Sequence, residues 1–239
     1  MEGRSSKSKF GGVPLLPNPE KDAMRGLGLP EDPNQPLQFS SKGPFRMCCI
    51  ATPGKGKTNL ALFVAALNAG PTGYHSAVVW SPLGDSPMSE WNILDATEYV
   101  QECPHEKDKI FGEHTERSLL VIDDIQTNSL RGEQQRRLEK ILTWTSTHKN
   151  VDVILCIQGI NQASPAVRRA CNVWAIWPTK DVTAINRLAS TVSMDKRKLE
   201  ELFRQTESIS PHSFLLVHWT GYLGSRWAIS IDAKIPLGE

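Results

Sequence analysis

From residue 44 onward, short unbroken apolar runs alternate with longer stretches at helical spacing. The runs are PFRMCCIA (44–51), SAVVWSP (76–82), RSLLVIDDI (117–125), VDVILCIQG (151–159), NVWAIWP (172–178), SFLLVHW (213–219) and RWAISID (226–232). Runs that are apolar throughout, rather than alternating with polar residues, predict strands covered on both faces. The last two flank Gly221 and Gly224 and predict a hairpin. Between the runs, KTNLALFVAALNAG (57–70) predicts a helix stopped by Gly70 and Pro71, and WNILDATEYVQEC (91–103) predicts another. Leu138, Ile141, Leu142 and Thr145 give residues 131–150 a helical stripe. Shorter helices are expected over 165–170, 181–188 and 194–203. Strands separated by helices need crossover connections, which pair them in parallel. The expected fold class is therefore α/β: three layers around a mostly parallel central sheet, with the late pair as C-terminal antiparallel edge strands.

Residues 1–43 differ from the rest. Pro14, Pro17, Pro19, Pro30, Pro33 and Pro36 stand among scattered Gly and Ser with little apolar periodicity. They predict an extended or disordered arm before a domain at 44–239. Lys and Arg total 27 against 26 Asp and Glu, a net charge of +1. That balance excludes nucleic-acid binding by bulk positive charge and leaves open a local basic patch. No apolar run of about 18 residues predicts a membrane span. MEGRSSKSKFGG has no apolar core of a secretory signal, so a cytosolic or nuclear setting is expected. The five cysteines lack metal-binding spacing and are expected to be small buried hydrophobes in a reducing compartment. Trp80, Trp174, Trp177, Trp219 and Trp227 lie on or beside strands, where core or subunit-interface roles are expected.

The main chemical signal is Ala51-Thr52-Pro53-Gly54-Lys55-Gly56-Lys57-Thr58, between the first strand and the first helix. It has the Walker A pattern with alanine at the first glycine, which is tolerable if Ala51 is not left-handed. Such a loop wraps a phosphate chain in backbone N–H groups, with the positive end of the new helix facing the anion. Thr52, Pro53, Gly54, Lys55, Gly56, Lys57, Thr58 and Asn59 are the expected nucleotide contacts. Lys57 would reach the β- and γ-phosphates, and the Thr58 hydroxyl would hold Mg²⁺. Leu119-Leu120-Val121-Ile122-Asp123-Asp124 has the Walker B form, an apolar strand ending in acids. Asp123 is the expected second Mg²⁺ residue, and Asp124 would orient or deprotonate the attacking water.

Gln158 ends the next strand. It either touches the γ-phosphate and the attacking water or is simply a polar strand end. Arg168 and Arg169, in SPAVRRACNVW, either supply positive charge to a neighbouring subunit's phosphoryl group or pair with surface acids. Arg187 and Arg204 are weaker candidates for the same role.

These three features, in this order, resemble the FtsK/HerA superfamily of P-loop ATPases over roughly residues 44–220. Within it, the chain looks like the viral genome-packaging ATPases of the poxvirus type. The paired aspartates, the short interval to the glutamine strand and the SPAVRR segment carry that likeness. It implies a three-layer P-loop NTPase fold of the RecA/FtsK kind, with ATP and Mg²⁺ at the site. It implies a ring, expected as a hexamer, that drives double-stranded DNA into a preformed capsid. Partners would be the DNA, other copies of the chain, and capsid or portal-vertex proteins. The setting would be the virion and the host-cell interior. Lys180, Lys196, Arg197 and Lys198 are candidate duplex contacts. Two other readings stay open: a helicase-type NTPase working on single strands, and a nucleotide-dependent assembly protein.

Overall fold

Among the described residues, eight strands build one sheet in the order β3-β2-β4-β5-β1-β6-β7-β8. The structure, a computed structural model, describes residues 37–39, 43–69, 73–81, 97–105, 108, 111, 116–219 and 225–230. The strands are β1 (Arg46–Ile50), β2 (Ser76–Trp80), β3 (Thr97–Val100), β4 (Ser118–Asp123), β5 (Val151–Ile157), β6 (Val173–Ile176), β7 (Phe214–Trp219) and β8 (Ser225–Ser230). From β3 to β6 every neighbouring pair is parallel, and β6–β7 and β7–β8 are antiparallel. The expected class is what is observed.

Helix α1 (Lys57–Asn68) covers one face. Leu60, Ala61, Val64 and Ala65 pack there against Met47, Cys49, Val121, Ile154 and Cys156. The other face is covered by α2 (Gly132–Lys140), α3 (Pro165–Ala170), α4 (Val182–Thr191) and α5 (Lys196–Ile209), packed on Cys48, Ile50, Leu120, Ile122, Leu155 and Ile157. Alternate residues of β1, β2, β4, β5, β6 and β7 thus enter opposite cores, and β4 and β5 are buried along their whole length. All five cysteines are free and buried. Trp80, Trp174 and Trp177 are buried, whereas the side chains of Trp219 and Trp227 lie outside the described residues.

Local chemistry sets the helix ends. Asp181 caps α4 through the N–H groups of Thr183 and Ala184, and Asp195 caps α5 through those of Arg197 and Lys198. α5 therefore starts after Asp195 and runs on to Ile209, beyond the expected 194–203. α2 continues through a π-helical turn at Ile141–Thr145 into Ser146–His148, which keeps Leu138, Ile141, Leu142 and Thr145 all buried. The same turn leaves Trp144 exposed, stacked on His148 with centroids 4.8 Å apart.

One expected element is corrected. Of the helix expected over 91–103, Thr97–Val100 form strand β3, residues 101–103 follow it outside any helix or strand, and residues 91–96 lie outside the described residues. Thr97, Tyr99 and Val100 are β-branched or aromatic, and the backbone pairs with β2 in the register Ala77↔Thr97 to Trp80↔Val100. Satisfying the open edge of β2 outweighs the local helical pattern.

Of the arm, only Leu37–Phe39 and Gly43 are described. Phe39 is buried against Phe45, with ring centroids 4.5 Å apart. Asn68, at the end of α1, accepts the Phe39 N–H and donates to the Leu37 carbonyl. Packing against the domain thus begins before residue 44.

At the sheet end away from the Walker loops, Asp152 is fully buried. It accepts from the Phe45 N–H and the Tyr74 hydroxyl and pairs with Arg117 at 2.6 Å. Burial pushes its carboxyl up to about 6, against the pull of Arg117, Phe45 and Tyr74. That lies above the free value of 3.8, so this group favours the fold most below that value and loses the contribution as pH rises through about 6. Asp152→Asn keeps the acceptor for Phe45 and is expected to flatten the change in stability across this window. Asp152→Ala strips the buried Arg117, Tyr74 and Phe45 groups of their partner and is expected to cost ~3–5 kcal/mol. Thermal melts of both variants at acid and neutral pH check the pair.

Candidate nucleotide-binding site

The carboxyl ends of β1, β5 and β4 lie side by side, and each delivers one of the motifs. Cys49, Cys156 and Asp123 share one register row across the three strands. Only β5 separates the Walker A strand from the Walker B strand, which puts them about 10 Å apart. Asp123 continues the Leu119–Val121 series, so it faces α1 as Cys156 does.

The loop 51–56 is shaped by two left-handed glycines, Gly54 (φ 76°) and Gly56 (φ 95°). Gly56 is the N-cap of α1, and no side chain caps the helix. The first-turn amides are thus left to an external acceptor, the situation that suits a phosphate. No acid stands in that turn to repel one. Ala51 is not left-handed, so alanine is accommodated there. Its N–H donates to Ile157 O at 3.2 Å, tying the loop to β5.

Lys57 is buried, and its ammonium donates to the carbonyls of Ala51 (2.9 Å) and Thr52 (3.4 Å). Thr58 is half-buried in the same turn, and Thr52, Pro53, Gly54 and Asn59 are exposed. Lys55 reaches sideways to the Pro211 carbonyl, before β7. Behind the loop, the Cys156 thiol lies 3.9 Å from Lys57 O. Its pKa is pushed well up, first by a hydrogen bond with Cys49 and by burial. Asp123 adds to that rise and Lys57 opposes it, so both motif charges act on one thiol between them.

Asp123 is buried, whereas Asp124 is exposed and left-handed at φ 54°. That conformation is uncommon for a residue with a Cβ. It is held by the Asp124 N–H donating to Cys156 O at 2.9 Å. The turn breaks the strand's alternation, so the second acid is not sent into the opposite core. Among the described residues no three His, Cys, Asp or Glu side chains cluster as a metal cage. Mg²⁺ bound with substrate phosphates needs only one or two protein oxygens, so it does not require such a cage.

Gln158 follows β5 with its side chain exposed, and its N–H donates to Gln162 Oε1 at 2.8 Å. Arg168 and Arg169 lie in the last turn of α3, away from the loop row. Arg168 donates to Ala163 O at 2.7 Å, and Arg187 donates to Asn161. Burial lowers the Arg168 pKa, and the charges of Arg187 and Arg169 lower it further. Arg187 and Arg169 thus lie near enough to Arg168 for their charges to act on it. Arg204 is elsewhere, paired with Glu201.

Sequence reasoning missed Thr127, Asn128 and Gln162, which join the loop after β4 to the loop after β5. No local pattern marks them, because their partners are about 35 residues away in the chain.

No protein-family model and no curated protein matches the chain in sequence. Solved structures do share its fold. B204, the DNA-packaging ATPase from Sulfolobus Turreted Icosahedral Virus, is 14% identical with a TM-score of 0.56, over 79% of this chain and 98% of that one. The genome packaging NTPase B204 from Sulfolobus turreted icosahedral virus 2, in complex with AMPPCP, is 12% identical with a TM-score of 0.56, over 79% and 98%. EssC (ATPases 2 and 3) from Geobacillus thermodenitrificans is 10% identical with a TM-score of 0.52, over 88% of this chain but 45% of EssC. The chain thus has the fold of these P-loop ATPases, as the motif order implied.

Proposed function

We propose that the protein is an ATP-driven motor that moves double-stranded DNA and packages a viral genome into a preformed capsid. The observation that carries the ATPase part is the convergence of the Lys57 loop, the Asp123–Asp124 pair and Gln158 on three adjacent strand ends. The nucleotide would lie over residues 52–59, with its phosphates on the uncapped first turn of α1. Lys57 would stabilise charge on the β- and γ-phosphates. Thr58 and Asp123 would hold Mg²⁺, which would neutralise phosphate charge when bound. Asp124 would orient the attacking water and take its proton. Gln158 would hold the water and sense the γ-phosphate.

Packaging rests on the fold shared with B204, and ATP as the nucleotide is supported by the AMPPCP complex of one B204. Arg168 and Arg169 would complete the site of the next subunit in a ring, a hexamer in this reading. Exposed Lys180 and Arg197 are candidate contacts to the duplex, whereas Lys196 lies 3.8 Å from Glu200. Capsid or portal-vertex proteins would receive the ring, so the protein would act in the virion and the host-cell interior. No helix among the described residues is long and apolar enough to cross a membrane.

Steady-state hydrolysis with duplex DNA, single strands or no nucleic acid tests this reading. Duplex is expected to raise turnover several-fold, roughly independently of sequence, with the effect fading as salt rises. Single-strand stimulation with unwinding would replace the motor by a helicase. Nucleotide binding without turnover under any condition would favour an assembly protein.

A further inference from the structure

We infer that Thr127 is a positioning residue that couples the protein's own nucleotide site to the arginines it presents on α3. The inference rests on the ATPase reading above and adds a route within one subunit.

Thr127 is 1% exposed, four residues beyond Asp123. Its hydroxyl donates to Gln162 O at 2.8 Å and accepts from the Ser164 N–H at 2.9 Å. A hydroxyl used in both directions fixes the spacing of the two groups it joins. Each end of this bridge leads to a functional element. On one side, Gln162 Oε1 accepts the Gln158 N–H at 2.8 Å, so the segment Thr127 grips also orients the strand end that carries Gln158. On the other side, Ser164 is the N-cap of α3: its hydroxyl accepts from the Val167 N–H and its carbonyl from the Arg168 N–H. Asn128 reinforces the first grip, with its N–H on Gln162 O and its amide on Asn161 O.

The loops after β4 and β5 and the start of α3 are therefore one hydrogen-bonded body. Asp124 and Gln158 lie at one end of it, and Arg168 and Arg169 at the other. A shift of Gln158 between triphosphate and product states would move α3 with it. Without the Thr127 hydroxyl, Asn128 still holds Gln162 while the buried Ser164 N–H loses its acceptor. The coupling then breaks at the entrance to α3.

The test compares full-length Thr127→Val, which keeps the shape and removes the hydroxyl, with Thr127→Ser, which keeps the hydroxyl. AMPPCP affinity and KM for ATP are expected to stay within about twofold in the valine variant while kcat falls roughly tenfold or more. Hydrogen exchange gives a second readout. AMPPCP should alter protection at residues 54–60 and 164–170 in the wild type, but only at 54–60 in the valine variant. Thr127→Ser should restore both readouts. Wild-type kcat in the valine variant, a surviving response at 164–170, or a serine variant as impaired as valine would each overturn the inference. If Thr127→Val does not fold, Gln162→Leu severs the same route at Gln158 and must show the same loss of response. A wild type that neither binds AMPPCP nor hydrolyses ATP would instead sink the ATPase reading itself.

Discussion

Lys57→Ala is expected to leave a folded protein that has lost ATP hydrolysis. The ammonium is buried at the loop, held by the Ala51 and Thr52 carbonyls. In the proposed chemistry it is the main fixed charge aimed at the β- and γ-phosphates. Removing one such preorganised donor costs about 100- to 1,000-fold in turnover. The fold should survive, because the glycines that shape the loop remain and alanine is a better helix former than lysine at the start of α1. Lys57→Arg should not rescue, because a planar guanidinium is a poor substitute for a compact ammonium in so closed a loop. Hydrolysis and a thermal melt on the same preparation check the claim. Undiminished turnover in a folded Lys57→Ala variant would refute the site.

Much of this architecture could be read before the structure, because local chemistry specified it. The apolar runs at β1, β2, β4, β5 and β6 had no other face to present, and α1 was bounded by Gly56 and by Gly70 with Pro71. The phosphate loop was legible because its requirements are local: two glycines, a lysine and a hydroxyl at fixed spacing. The misread segment was β3, where helical spacing was weak and pairing with β2, which is non-local, decided the outcome. The same limit hid Thr127 and Gln162, whose importance comes from contacts between two loops. It also hid Phe39, which looks like one apolar residue in a proline-rich arm until Phe45 and Asn68 are seen around it. Asp124 was legible as an acid but not as a left-handed residue, which is what keeps it out of the opposite core.

Substituting Arg169 by alanine is expected to spare nucleotide binding and slow turnover by about 1,000-fold, the low end of what a trans-acting arginine contributes. Burial disfavours the Arg168 charge, and the charges of Arg187 and Arg169 repel it further, which together lower its pKa. An anion brought to this cluster by another subunit would relieve that repulsion. The three are not equivalent. The Arg168 side chain is tied to Ala163 O and that of Arg187 to Asn161, whereas the Arg169 side chain is exposed and makes no hydrogen bond or ion pair with the described residues. Arg169 is thus the one placed to reach outward, and Arg168→Ala should have the smaller effect because part of its role is to hold α3 against the loop. Mixing decides whether the action is in trans. A Lys57→Ala subunit still carries Arg169, and an Arg169→Ala subunit still carries a whole phosphate loop. Each preparation alone should be nearly inactive, and their mixture should regain hydrolysis wherever an intact loop meets an intact arginine across an interface. If no ratio recovers activity, Arg169 does not complete a neighbour's site, and the shared-site reading fails.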